Sequence, residues 1–142
     1  MNGVGSVSVS SKRKKLFDDF KEKGYTFQAV LHPSAVIAKD VVLGEGVQVM
    51  AGVVIQTGCR IGDNVIINTR ASVDHDCMIG DHVHIAPGVT MSGGVKIGAG
   101  CHIGTGTVIT QGLGLGSNCF VTARSLIKRG LSSGKKFRDT IR

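Results

Sequence analysis

From Leu31 to Ile127 every sixth residue is aliphatic, and only Met91 in that series is not leucine, isoleucine or valine. A helix repeats its buried face every three to four residues and a simple strand every two, so an unbroken period of six fits neither alone. It predicts a short strand and a turn, repeated in register. The other positions of the repeat agree. Two residues before each aliphatic stands a smaller residue, such as Ala35, Val53, Cys77 or Thr107. Three residues after it, glycine and asparagine dominate, among them Gly52, Asn64, Gly88 and Asn118. Both types accept a left-handed backbone at little cost. Each repeat is then one face and one corner, and three of them close a triangular coil of eighteen residues. The expected architecture is all-β: a parallel β-helix over residues 31–128, with about five coils that each rise roughly 4.8 Å.

Outside that span the pattern changes. Residues 11–24 read as a short amphipathic helix, with Ser10 or Ser11 as its cap, Leu16, Phe17 and Phe20 as its apolar face, and Gly24 as its stop. A column of coils exposes strand edges at both ends, so this helix is expected to cover the N-terminal one. Residues 25–31 read as a strand leading into the first coil, and residues 129–142 as a basic tail.

The formal charge of +7 comes largely from the 12–15 run and that tail. No recognition motif or aromatic platform accompanies it, so nucleic acid is not the expected partner; a solvated face that attracts a phosphorylated ligand is more economical. No apolar run is long enough for a membrane span, and the start lacks a signal-peptide core. The four cysteines fall as two pairs, Cys59/Cys77 and Cys101/Cys119, each eighteen residues apart on the small inward position. They are expected to stack as buried, reduced thiols, which points to the cytoplasm.

Because the period never breaks, the histidines can be placed. His75-Asp76 occupies one corner, with Thr57-Gly58 and Gly93-Gly94 one coil to either side. A second corner carries Asp81-His82, and a third carries Thr69-Arg70, Thr105-Gly106 and Ala123-Arg124. The face between the second and third corners points Asn68, His84 and His102 outward, opposite His75. With faces of about 16 Å and a filled core, the two groups cannot meet within one chain. They can meet if His75 of one subunit packs on the Asn68/His84 face of the next. Such a head-to-tail contact closes into a ring, so a homotrimer is expected. His75 backed by Asp76 is suited to a general base, Asn68 to orienting the imidazole or substrate, and the Gly93 N–H to an oxyanion. His82 reads as a solvated corner residue, and His102 as a structural part of the interface.

The segments His32-Pro-Ser-Ala35, Ile67-Asn68, residues 75–87 and Ser92-Gly-Gly-Val-Lys-Ile-Gly98 closely resemble the hexapeptide-repeat sugar acetyltransferases, including sialic acid O-acetyltransferases and N-acetyltransferases of UDP-4-amino-sugars. The resemblance implies a left-handed β-helix, a trimer, and acetyl-CoA as co-substrate without metal. By resemblance His75 matches the catalytic base, Asp76 its acidic neighbour and Asn68 the assisting asparagine. His84 matches a histidine contacting acetyl-CoA, Gly93 the backbone donor near the acetyl carbonyl, and Thr105 and Ala123 positions along the CoA arm. Members usually begin with a nucleotide-sugar-binding domain, and residues 3–31 resemble only its last helix and strand, a remnant over residues 1–30. They often end with a Pro-Ala-Lys segment, which this chain lacks.

The expected function is acetyl transfer from acetyl-CoA to an amine or hydroxyl of a sugar, nucleotide-linked by the same resemblance. Two rivals share the fold. A metal hydratase of the γ-carbonic anhydrase kind would hold zinc with His84, His102 and a neighbour's His75. A noncatalytic trimeric scaffold would need none of this chemistry.

Overall fold

The computed structural model describes residues 11–138. Expectations that fall on residues 1–10 and 139–142, the Ser10 cap among them, lie outside the described residues. The repeat forms as its period requires. Two-residue strands recur every six positions and stack with their counterparts eighteen residues on, as in His84 beside Ile66 and His102. All the strand pairs are parallel and the coils wind as a left-handed β-helix.

Three sheets result. Face I runs from Val30–Leu31 through Ile66–Ile67, His84–Ile85, His102–Ile103 and Phe120–Val121 to Lys136–Phe137. Face II runs from Val36–Ile37 through Ser72–Val73 to Leu126–Ile127, and face III from Val42–Leu43 through Met78–Ile79 to Gly114–Leu115. The second residue of each inner strand points into the column, so Ile55, Ile67, Ile85, Met91, Ile103 and Ile109 are fully buried. Each such side chain contributes about 1.5–3 kcal/mol relative to exposure.

The four cysteines occupy the small inward position as expected and are buried free thiols. Cys59 donates to the Asp74 carbonyl at 3.1 Å and Cys77 to the Ser92 carbonyl at 3.3 Å, which satisfies their S–H groups inside the column. Burial pushes the Cys77 thiol up to about 11 and the Cys101 thiol up to about 12, so neither is a nucleophile near neutral pH.

The terminal elements depart from the sequence reading. Helix α1 spans Ser11–Glu22 and stops where Gly24 turns left-handed, φ 83°. It lies along the corner between faces III and I rather than across the open end. Its Arg13 is buried and donates to the carbonyls of Asn64 and, at 2.7 Å, His82, one coil apart. Phe17 stacks on Phe27 at 4.7 Å and meets the His82 ring edge-on at 5.6 Å, while Lys21 pairs with Glu45 at 2.7 Å. The helix therefore bridges three coils and leaves Leu31 of the first coil 46% exposed. His82, expected in solvent, is half-buried beneath it. Of residues 25–31 only Val30–Leu31 pairs as a strand. The described part of the basic tail adds a strand that the sequence reading did not assign: Lys136–Phe137 extends face I by pairing with Phe120–Val121.

Candidate functional site

The corner between faces II and III carries the first half of the site. Coil-to-coil hydrogen bonds fix it from both sides, Asp76 N–H donating to the Thr57 carbonyl at 3.0 Å and Gly94 N–H to the His75 carbonyl at 2.8 Å. Asp74 accepts the His75 backbone N–H at 2.8 Å. The imidazole then bonds Asp76 through Nδ1, 2.8 Å from Oδ2. With the Nδ1 proton donated to that carboxylate, Nε2 keeps its lone pair. The hydrogen bond to Asp76 and then the charge of Asp74 raise the His75 pKa above the ordinary histidine value of 6.5.

Two glycines make room for this pair. A Cβ on Gly93 would lie 2.5 Å from His75 Nε2, and a Cβ on Gly58 would lie 2.2 Å from Asp76 Oδ1. The imidazole thus rests over bare backbone on one side, and the carboxylate does so on the other. No acceptor among the described residues takes the Gly93 N–H. The sequence reading placed His75, Asp76 and Gly93 together, and they are together. It placed Gly58 on the same corner, eighteen residues before Asp76, but gave it no role.

Asn68 and His84 lie across the column on face I, as the register required. Asn68 Nδ2 is 3.4 Å from His84 Nε2, and its Oδ1 accepts the Thr69 N–H at 2.8 Å. His84 meets His102 edge-on at 4.9 Å between ring centres, and His102 stacks on Phe120 at 5.2 Å. Burial lowers the His102 pKa, so this ring is neutral near pH 7. Among the described residues no three His, Cys, Asp or Glu side chains cluster as a metal ion would need.

Alongside face I, the corner between faces I and II forms an open groove of about 660 Å³, lined in part by Ser34, Thr69, Arg70 and Thr105. Ala123 continues that corner toward the C-terminus and is exposed. The site residues therefore fall into two sets: His75, Asp76 and Gly93 on one side of the column, and Asn68, His84, Thr105 and Ala123 on the other. No helix among the described residues is long and apolar enough to cross a membrane.

Comparison with known proteins agrees with the fold. The family described as Bacterial transferase hexapeptide (six repeats) matches residues 40–75, 58–93 and 76–111. Among solved structures, the acetyltransferase domain of PglB from Neisseria gonorrhoeae FA1090 in complex with acetyl coenzyme A is 34% identical, with a TM-score of 0.86 over 88% of this chain and 61% of its own. A variant of perosamine N-acetyltransferase from Caulobacter crescentus in complex with CoA and GDP-perosamine is 38% identical, with a TM-score of 0.86 over 88% of this chain and 60% of its own. WeeI from Acinetobacter baumannii AYE is 27% identical, with a TM-score of 0.86 over 94% of this chain and 69% of its own. The chain thus spans about three fifths of the length of the first two, 61% and 60%. No curated protein matches the sequence significantly.

Proposed function

The chain belongs to the bacterial hexapeptide-repeat transferases, and from that membership we propose that it moves an acetyl group from acetyl-CoA to an amine or hydroxyl of a sugar, nucleotide-linked as in the GDP-perosamine complex. The observation that carries this reading is the His75 imidazole, tied to Asp76 at 2.8 Å and seated over the unused N–H of Gly93. A base and an oxyanion donor side by side are what acyl transfer needs. In this reading the site lies between subunits of a homotrimer, because His75 and the Asn68/His84 face lie on opposite sides of one column. His75 of one subunit faces Asn68 and His84 of the next, and the CoA arm lies along the groove past Thr105 and Ala123.

His75 Nε2 takes the proton from the acceptor N–H or O–H as the heteroatom attacks the thioester carbonyl. The Gly93 N–H holds the oxygen that gains the negative charge. The tetrahedral intermediate collapses by breaking the C–S bond, and the proton on His75 neutralises the departing CoA thiolate. Asp76 steadies the imidazolium between the two proton transfers. The cytoplasm, where the free cysteines stay reduced, is the proposed compartment.

Calorimetric titration should show about one acetyl-CoA bound per subunit of the folded trimer, with amino-sugar nucleotides releasing free CoA. No binding in folded protein removes the transferase reading. The pH profile tests the dyad separately. Asp76 favours the charged imidazole, so the acid limb of kcat/KM is expected above the ordinary histidine value, and Asp76→Asn is expected to move it to lower pH. A limb that stays in place in Asp76→Asn assigns it to another group.

A further inference from the structure

Among the described residues, six that are not glycine hold a left-handed backbone: Asn64, Arg70, Asp76, His82, Asn118 and Arg124. Asparagine does so cheaply. Asp76 holds His75, and His82 packs under helix α1. The two arginines remain, both on the corner between faces I and II, where Gly52, Gly88 and Gly106 take the equivalent position at no steric cost. An arginine with φ 56° at position 70 is strained relative to the glycine its own ladder uses above and below.

Nothing among the described residues repays that strain. Arg70 forms no ion pair and no side-chain hydrogen bond among the described residues. Its stem leans back over Gly52, where a Cβ would lie 3.3 Å from Arg70 Cγ, and the residue is exposed at the wall of the groove. No aspartate or glutamate stands on this corner in any coil, from His32-Pro33-Ser34 to Thr122-Ala123-Arg124. Among the described residues the guanidinium charge is therefore uncompensated. It sits level with Asn68, whereas Thr105 and Ala123, assigned to the CoA arm, lie toward the C-terminal end. The groove also continues the other way, to Ala51 and Ser34.

We propose that Arg70 anchors an anionic group of the acceptor, a carboxylate or a phosphate, in the part of the groove that the CoA arm does not use. The planar guanidinium suits either anion through paired N–H donors. This rests on the acetyltransferase reading and names the acceptor as an acidic or phosphate-linked sugar.

The test uses UDP and glucuronate as probes, titrated into protein saturated with acetyl-CoA. At least one of them is expected to bind. UDP alone identifies a phosphate anchor, glucuronate alone a carboxylate anchor, and both together a general anion seat. Arg70→Gly and Arg70→Gln are expected to weaken that binding about tenfold or more while acetyl-CoA affinity holds. Arg70→Gly should also melt at or above the temperature of the parent protein, because glycine relieves the backbone strain. The proposal is overturned if neither probe binds, if binding survives in Arg70→Gln, or if acetyl-CoA affinity falls in step with it. A fall in melting temperature with probe binding unchanged makes Arg70 structural and likewise overturns it. Failure of the transferase reading shows separately, as loss of acetyl-CoA binding by the parent protein.

Discussion

Replacing His75 with alanine is expected to cut kcat by about 10²–10⁴-fold while leaving acetyl-CoA affinity unchanged. The Nε2 atom is the one basic nitrogen seated over the Gly93 amide, and Asp76, though close by, accepts from Nδ1 and faces Gly58. Asp74, the other adjacent carboxylate, is engaged by the His75 backbone N–H at 2.8 Å. His75 has 58% of its side chain exposed, so its removal leaves no cavity and little change in melting temperature is expected. Steady-state kinetics with calorimetry on the same preparation separates chemistry from binding. An unchanged kcat would sink the assignment of His75 as the base.

The second large effect is expected from the smallest possible change. In Gly93→Ala the added methyl would lie 2.5 Å from His75 Nε2 and 2.6 Å from Cε1, too close for any real carbon. Because the imidazole is exposed within its own chain, it yields by swinging aside, at little cost to the fold of that chain. Gly93 is not among the residues with left-handed φ, so alanine adds no backbone strain there. The expected result is a loss of about 10²-fold or more in kcat/KM with the melting temperature held, since a displacement of about 1 Å at a reacting centre has that effect. Full activity in Gly93→Ala would mean that His75 works from a different position than the one it holds over this corner.

Gly93 also shows how far the sequence alone could be read. Along the corners, the residue that opens each turn is proline, threonine, aspartate, alanine or another side chain, and only at position 93 is it glycine. That exception, eighteen residues after His75, was visible without coordinates. The pairing of His84 beside His102 and the burial of Cys59 and Cys77 were legible in the same way, because position in a regular coil is a matter of counting.

What counting could not reach was anything outside the period. Helix α1 has an apolar face, but no periodic signal states where a short helix docks. Its seat is set by Arg13 reaching two carbonyls and by Phe17 meeting Phe27 and His82. The last strand escaped for a related reason: Phe120 pairs with Lys136, sixteen residues on rather than eighteen, so the final coil falls out of step with the rest. Arg70 was placed on its corner from the start, but its significance depends on a backbone angle, which no sequence pattern reports.

The eighteen-residue stacking of Gly58, Asp76, Gly93 and His75 carries a consequence for how such a chain can vary over time. The dyad and its two glycine seats come from three successive coils, and the residue count between them sets which groups the coil-to-coil hydrogen bonds bring into line. Inserting or deleting one residue between positions 58 and 93 would turn every later inward side chain toward solvent and slide the imidazole off its seat, as a one-residue slip does in any strand register. Eighteen residues added beyond that window leave the alignment intact and merely lengthen the column. Descent with altered length is therefore quantised: whole coils are gained or lost freely at the ends, while the stretch around the dyad is held to a fixed residue count even where its side chains drift.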